Sequence, residues 1–144
     1  MPGICEAGAE IRLPTEEEWE KAARGGTDGR VSVGEGYRAG FANVFEPGGS
    51  MGTADTGQTT AVGSYPQGAS PFGAHDMAGN VWEWTLTEYE SQTSDLTNDR
   101  PRVLRGGSWY YFPDRARAAY RHVHGPLSRY VFLGFRVVMT APVP

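Results

Sequence analysis

The sequence predicts one α+β domain spanning residues 1–144, with short strands, one or two helices and little other regular secondary structure. Glycine supplies 20 and proline 10 of the 144 residues, without a collagen-like period. Such a composition is typical of chains rich in turns and irregular segments. Hydrophobic residues at 39% and charged residues at 21% indicate a folded chain, because disordered chains are poorer in apolar residues. The length suffices for one hydrophobic core.

Segment 11–26, IRLPTEEEWEKAARGG, predicts a helix of about three turns. Thr15 and Glu18 have the spacing of a capping box, in which each side chain accepts the backbone N–H of the other residue. Trp19 and the alanine pair one turn later fall on one face, which predicts a buried stripe. Gly25 and the glycine that follows it are expected to end the helix.

The rest of the chain predicts short strands separated by turns. Segment 60–65 is a candidate strand within a glycine-rich region. In segment 81–84 two tryptophans alternate with valine and glutamate, a pattern typical of a half-buried strand. Segment 88–101 is polar and predicts a solvated loop. Segments 102–109 and 133–139 predict the two closing strands.

The net charge of −4 conceals a division along the chain. Residues 1–99 carry 16 acidic and 5 basic side chains, whereas residues 100–144 carry 1 acidic and 8 basic side chains. Such asymmetry is seen in nucleic-acid tails. Here the late basic residues are all arginines spaced through aromatic sequence, whereas polyanion sites usually include clustered lysines. We therefore expect intramolecular ion pairs with the acidic front half, and no nucleic-acid partner.

The single cysteine and the lack of long apolar segments bear on whether the chain is a disulfide-linked, cysteine-metal or membrane protein. Cys5 is the only cysteine, so neither an internal disulfide nor a two-cysteine metal or redox centre is expected. We expect no signal peptide, no transmembrane segment and no membrane partner for this chain. The sequence leaves the localisation open, including display on a virion or a cell surface.

Four motifs occur in a fixed order: RLPTEEEWEKAARGG, DMAGNVWEWT, RVLRGGSW and GFRVV. Together they resemble the formylglycine-generating-enzyme-like (sulfatase-modifying factor) family, over residues 11–138. The resemblance implies a C-type lectin fold of the glycine-rich, formylglycine-generating-enzyme type. Members usually carry a further segment before the first motif, so we expect the N-terminal part of the family domain to be missing here.

The resemblance also implies a structural calcium ion at the second motif. Its ligands would be the side chains of Asp76 and Glu83 with the backbone carbonyls of Gly79 and Val81. Calcium accepts carboxylate and backbone oxygens in flexible geometry. The alternative is that Glu83 pairs with one of the arginines.

Catalysis is not expected, since the metal ligands of the family's enzymes have no counterpart. The oxidase members bind copper through cysteines shortly after the GGS motif, but residues 109–113 here are WYYFP. A second branch binds iron through histidines. His122 and His124 would share one face of a strand, but no third ligand is nearby in the sequence. We expect neither copper nor iron. The alternatives are an enzyme of the formylglycine-generating or iron-dependent sulfoxide-synthase type, or a structural module of a larger protein.

Segment 105–136 carries a second resemblance, to the variable proteins of diversity-generating retroelements. In those proteins a fixed frame surrounds codons that an adenine-mutating reverse transcriptase rewrites. The frame GGSW…R.A.R….P..R….GFR is matched here at Gly106, Gly107, Ser108, Trp109, Arg117, Ala119, Arg121, Pro126, Arg129, Gly134, Phe135 and Arg136.

The residues within this frame form the expected ligand-binding set. The resemblance implies mostly AAC template codons, whose first two bases change, so that Tyr, Phe, His, Val, Leu and Ser are accessible but Lys, Glu, Gln, Met and Trp are not. All the residues of the set are accessible in this way: Tyr110, Tyr111, Phe112, Tyr120, His122, Val123, His124, Leu127, Ser128, Tyr130, Val131 and Phe132.

The chemistry of this set favours binding. Tyrosine offers a large, stiff, amphipathic contact area at low entropic cost, and exposed apolar clusters mark interaction sites. We therefore predict a non-catalytic, receptor- or adhesin-like protein that binds a protein or another surface ligand through this set. Self-association through the same face is a further expectation. The alternative is that some of these residues are core, with Val123, Val131 and Phe132 as the foremost candidates.

Overall fold

Six short strands and one α-helix form the regular secondary structure in a computed structural model that describes residues 9–25, 37–46 and 57–140. In chain order the elements are β1 (Glu10–Arg12), α1 (Glu16–Arg24), β2 (Trp82–Glu88), β3 (Arg102–Arg105), β4 (His122–His124), β5 (Leu133–Gly134) and β6 (Val138–Thr140). Two 3₁₀ turns, Pro66–Gly68 and Pro113–Ala116, add to these. The predicted α+β class with little regular structure is confirmed. Cys5 and Gly26 lie outside the described residues.

The strands form two sheets. The larger has the order β4-β3-β2-β5, with β2–β3 and β3–β4 antiparallel and β2–β5 parallel. The pairing of β2 with β3 is irregular between Trp84 and Glu88. The smaller sheet pairs β1 with β6 in antiparallel fashion, so that Ile11 lies opposite Met139. The two ends of the described chain therefore meet in one sheet.

Helix α1 forms as its sequence predicts. The Thr15 hydroxyl accepts the Glu18 N–H at 3.2 Å, and the Glu18 carboxylate accepts the Thr15 N–H at 2.8 Å. At the other end Gly25 takes the left-handed conformation, with φ of 71°, and its N–H donates to the Lys21 carbonyl. Trp19 is fully buried, as is the alanine four residues later. The capping box, the buried face and the stop at Gly25 are confirmed.

The core of the described residues includes two small clusters that are rich in alanine, and Tyr65, Trp82, Val103 and Leu104 are buried outside them. The first contains Trp19, Ala23, Met77 and Ala118, and the second contains Ala42, Val44, Ala78 and Ala116. Because burying alanine removes little apolar area from water, the two fully buried tryptophans, Trp19 and Trp82, supply a large share of the apolar burial. No helix among the described residues is long and apolar enough to cross a membrane.

The predicted strand over residues 60–65 is wrong, because this segment forms turns. Two of its backbone N–H groups donate to side chains instead of to a neighbouring strand. The Thr60 N–H donates to Asn80 Oδ1 at 2.9 Å, and the Gly63 N–H donates to Asp76 Oδ2 at 2.7 Å. Side-chain acceptors of this kind compete with a strand ladder.

The predicted solvated loop over residues 88–101 begins too early. Glu88 is the last residue of β2 and only 2% exposed. Its carboxylate accepts the Asn98 side-chain N–H at 2.8 Å and the Ser91 hydroxyl. A buried carboxylate needs such partners, and the polar residues of the loop supply them.

The two predicted closing strands are shorter than expected. The first ends at Arg105, because Gly106 and Gly107 adopt positive φ angles that a strand does not allow. The second is divided into β5 and β6, because its halves pair with β2 and β1, which belong to different sheets.

Candidate binding surface

The turn that starts the predicted binding segment requires glycine at two successive positions. Gly106 and Gly107 have φ angles of 96° and 74°, which favour glycine over any residue with a Cβ atom. A Cβ on Gly106 would lie 3.1 Å from Trp19 Cζ2, and one on Gly107 would lie 2.8 Å from Ala116 Cα. The chain can therefore reverse tightly between helix α1 and the 3₁₀ turn at Pro113–Ala116.

Backbone hydrogen bonds then hold the residues that follow this turn. The Gly79 N–H donates to the Gly106 carbonyl at 2.7 Å, and the Trp109 N–H donates to the Asn80 carbonyl at 3.1 Å. Ser108 is fully buried, and its carbonyl accepts the Tyr111 N–H at 3.1 Å. Trp109 itself is half-buried.

Arginines of the late half pair with glutamates of the early half, as predicted from the charge division. The Arg121 Nε lies 2.6 Å from Glu16 Oε1. Arg136 makes a bidentate pair with Glu83, at 2.5 Å from Nε to Oε2 and 2.7 Å from Nη2 to Oε1. The buried Arg105 lies 3.4 Å from Glu16 and also binds the Glu20 carboxylate. These ion pairs attach segment 105–136 to helix α1 and to β2.

Of the last three frame residues, Gly134 and Arg136 have bonded partners, whereas Phe135 is exposed. Gly134 lies in β5 opposite Glu83, and Arg136 is held as described. Phe135, in contrast, is 68% exposed. Its side chain therefore gains little from packing against the described residues.

The residues of the predicted binding set lie at or near the surface, and none of them is fully buried. Those exposed are Tyr110, Phe112, Leu127, Tyr130 and Val131, and those half-buried are Tyr111, Tyr120, His122, Val123, His124, Ser128 and Phe132. Tyr110 and Tyr130 are 57% and 51% exposed, and Val131 is 77% exposed. The alternative that Val131 is core is therefore wrong. Of the four tyrosines in the set, Tyr110 and Tyr130 are exposed, whereas Tyr111 and Tyr120 are half-buried.

The aromatic members of this set lie on what we call the aromatic surface: Tyr110, Tyr111, Phe112, Tyr120, His122, His124, Tyr130 and Phe132. Ring contacts join all of them except Phe112 into one array, which Tyr120 joins through Trp82. Phe112 packs against Phe45 instead. Phe132 stacks between Tyr110, at 5.6 Å and 17°, and Tyr130, at 5.2 Å and 6°. The array continues through His124 and His122 to Trp82, with ring centroids 5.1, 4.9 and 4.7 Å apart. The fold thus brings together the three parts of the segment that carry aromatic residues: 110–112, 120–124 and 130–132.

Main-chain bonds attach the aromatic surface to the scaffold. The Phe45 N–H donates to the Tyr111 carbonyl at 3.0 Å, and the Trp82 N–H donates to the Phe132 carbonyl at 2.8 Å. The Tyr120 carbonyl accepts from the Arg105 guanidinium at 3.1 Å. Strand β4 pairs with β3 through its own backbone. Every residue type offers these groups except the N–H of proline, so the attachment does not depend on which side chain is present.

The two histidines of β4 lie in an apolar environment. Burial lowers the pKa of both His122 and His124 from the ordinary 6.5, and the neighbouring His124 and Arg115 lower that of His122 further. Their Nε2 atoms are buried without a hydrogen-bond partner among the described residues. In the same part of the chain no three His, Cys, Asp or Glu residues cluster as metal ligands.

A cleft of about 670 Å³ opens beside the aromatic surface. Its walls include Phe45, Gly57, Tyr110, Tyr111, Phe112 and Arg115. Phe45 and Arg115 were not among the predicted binding residues. Arg115 stands between the aromatic runs in the sequence, which could have indicated its place, whereas Phe45 is distant and carries no such signal.

The two side chains among the predicted calcium ligands, Asp76 and Glu83, already have other partners. Asp76 Oδ2 accepts the Gly63 N–H at 2.7 Å. The Glu83 carboxylate accepts from Arg136 and, at 2.6 Å, from the Trp19 indole N–H. Arg136 Nη2 also donates to the Asp76 carbonyl at 3.3 Å. The guanidinium thus supplies the positive charge beside Glu83, so these residues do not fit a calcium ion in this arrangement. The alternative, an arginine pair for Glu83, describes the structure, and calcium binding stays an untested prediction.

Comparisons with known proteins agree with the family that the four motifs resemble. The sulfatase-modifying factor enzyme 1-like domain matches residues 5–141. The chain is 38% identical over 143 residues to inactive C-alpha-formylglycine-generating enzyme 2 of Bos taurus, covering 92% of this chain and 45% of that protein. It is 37% identical over 146 residues to hercynine oxygenase of Mycolicibacterium smegmatis, covering 91% and 33%.

Among solved structures, variable protein 1 of Treponema denticola resembles this fold with a TM-score of 0.66 at 30% sequence identity. The match covers 88% of this chain and 46% of that one. The chain thus spans less than half the length of each of these three proteins. An oxygenase and a protein named inactive both occur among the relatives, so the family by itself assigns no activity. The extent of the domain match and the level of identity show that the chain belongs to the sulfatase-modifying factor enzyme 1-like family.

Proposed function

We propose that this chain is a non-catalytic, receptor- or adhesin-like variable protein of a diversity-generating retroelement, which binds a protein or another surface ligand through the aromatic surface. One observation carries the proposal. The residues of the predicted set are all partly or largely accessible, while main-chain bonds and frame arginines hold their backbone. Side chains can then change without removing what positions them.

The chemistry of the surface suits a macromolecular ligand. Stacked tyrosine and phenylalanine rings offer broad apolar contact, and the tyrosine hydroxyls offer hydrogen bonds at its edge. Rings held against one another lose little further freedom on binding, which favours affinity. The exposed Leu127 and Val131 extend the apolar area, and such an area is typical of an interaction site.

Two further observations support the non-catalytic assignment. The positions at which oxidase members of the family place copper-binding cysteines hold residues 109–113, WYYFP, and these offer no thiolate for a soft metal. In addition, a solved structure similar to this one is named a variable protein.

The genome around the coding sequence tests the proposal. We expect a reverse-transcriptase gene nearby and a near-copy of the codons for residues 110–132, with differences confined to adenines of the copy. A near-copy with differences at other bases, or none at all, would refute the diversification. The protein itself tests the absence of catalysis, since stoichiometric copper or iron in the purified chain would favour the enzyme alternative.

A further inference from the structure

Arg115 is the cation in the wall of the cleft, and its pairing differs from that of three other arginines of segment 105–136. Arg105, Arg121 and Arg136 each bind a glutamate. Arg115 binds no carboxylate among the described residues, although its side chain is half-buried. A partly desolvated cation without a counter-ion attracts an anion from outside.

The guanidinium of Arg115 is held in place by two tyrosines. Its Nη1 donates to the Tyr120 hydroxyl at 2.8 Å. Its Cζ lies 5.4 Å from the Tyr111 ring centroid and 5.5 Å from that of Tyr120, within the range of cation–π contacts. Within the described chain Nε and Nη2 make no hydrogen bond. The Nε–Nη2 edge of the guanidinium can accordingly bind a carboxylate with two parallel hydrogen bonds.

Apart from Gly57, the other walls of the cleft are aromatic. Phe45 meets Phe112 edge to face, with ring centroids 5.3 Å apart, and Tyr110 meets Tyr111 in the same way at 5.5 Å. A volume of about 670 Å³ is in the usual range for small-molecule sites. The cleft therefore combines room for a planar apolar group with one fixed positive charge.

We propose that this cleft binds a carboxylate attached to a planar apolar group, with Arg115 as the specificity-determining residue. A C-terminal aromatic residue of a protein ligand has this chemistry. A single guanidinium balances the one charge of a carboxylate, whereas a phosphate monoester carries nearly two. The inference rests on the proposed function, because it names the group that the binding surface would recognise.

The test uses the full chain and three probes: N-acetyl-L-phenylalanine, the corresponding amide and phenyl phosphate. Binding is followed by NMR titration of the backbone and side-chain N–H signals. We expect the acid to bind at least about tenfold more tightly than the amide, the effect of a charged hydrogen bond. Arg115→Gln should remove this preference. Arg117→Gln, which removes an exposed guanidinium two residues away, should keep it.

Equal affinity of the wild-type chain for the acid and the amide would overturn the proposal, and this comparison needs no variant that has to fold. A preference that survives in Arg115→Gln, or tighter binding of phenyl phosphate, would overturn it as well. These outcomes leave the aromatic surface and the genomic test untouched. Conversely, a genome without a template copy would refute the proposed function while an Arg115-dependent preference still stood.

Discussion

At the residue scale, Gly107 is the position where the frame is most sensitive to substitution. Gly107→Ala places a Cβ 2.8 Å from the Ala116 backbone, at a φ of 74°. Left-handed backbone and steric overlap each cost on the order of 1–2 kcal/mol, so the free energy of unfolding should fall by at least about 2 kcal/mol. Urea denaturation of the variant measures this loss.

The matched control is Gly125→Ala in the same segment. A Cβ there would meet no atom within 4 Å, and the backbone conformation suits other residues. We expect a change within about 1 kcal/mol of the wild type, because alanine also restricts the unfolded chain. Equal losses at the two glycines would contradict the role given to the Gly106–Gly107 turn.

The buried Arg105 is the second sensitive residue. It binds Glu16 and Glu20, donates to the Tyr120 carbonyl and lies over the Trp19 ring. Arg105→Met leaves the buried Glu16 carboxylate with Arg121 as its remaining partner and the Tyr120 carbonyl without its donor, and disrupting such a buried network costs on the order of 2 kcal/mol or more of unfolding free energy. Thermal and urea unfolding measure it.

Arg117→Met is the control for this substitution. The Arg117 side chain is exposed, and its Nε donates only to the Asp114 carbonyl, at 2.8 Å. Its loss should change the unfolding free energy by no more than about 0.5 kcal/mol. An Arg105 variant as stable as the Arg117 variant would show that the buried ion pairs do not hold the frame.

At the scale of elements, β4 makes stability depend on pH. Burial lowers the pKa of His122 and His124 below 6.5 in the folded chain. The unfolded chain therefore binds protons first as the pH falls, so stability present above pH 6.5 is lost as the pH drops towards the folded pKa values. Urea unfolding at about pH 7 and about pH 5 should show a lower stability at the acidic value.

The double variant His122→Phe with His124→Phe should lose this dependence between the two pH values. Glu18 causes a second loss of stability, in a lower pH range. The hydrogen bond from Arg12 lowers the pKa of Glu18 from 4.5 to about 2, so its contribution disappears only as the pH falls from 4.5 towards 2. An unchanged slope in the double variant would show that other groups cause the loss above pH 5.

Elements fixed by neighbouring residues were predictable from the sequence. Helix α1 follows from Thr15, Glu18 and Gly25, whose bonds join residues three or four positions apart. Strand β4 agrees with the expected shared face of its two histidines. The division of segment 133–139 was not predictable, since it depends on β1 and β2, which are distant in sequence.

At the scale of the whole molecule, the acidic early half and the arginine-rich late half of the chain are joined by ion pairs. Predicted ion pairs between the halves are present at Arg105, Arg121 and Arg136. Which glutamate each arginine binds, and the absence of such a partner for Arg115 among the described residues, depend on the fold. The position of Phe45 in the cleft also depends on the fold, because its ring contacts Phe112, which is more than sixty residues later in the sequence.

The central claim is that the binding positions are replaceable, whereas the frame residues Gly106, Gly107, Arg121 and Arg136 are not. Two libraries test it most directly, one with NNC codons at the residues of the predicted set and one with the same codons at Gly106, Gly107, Arg121 and Arg136. The measurement is the fraction of members that resist proteolysis, which reports the folded population. We expect most members of the first library to remain folded and most of the second to be digested. Digestion of both libraries to the same extent would contradict the account.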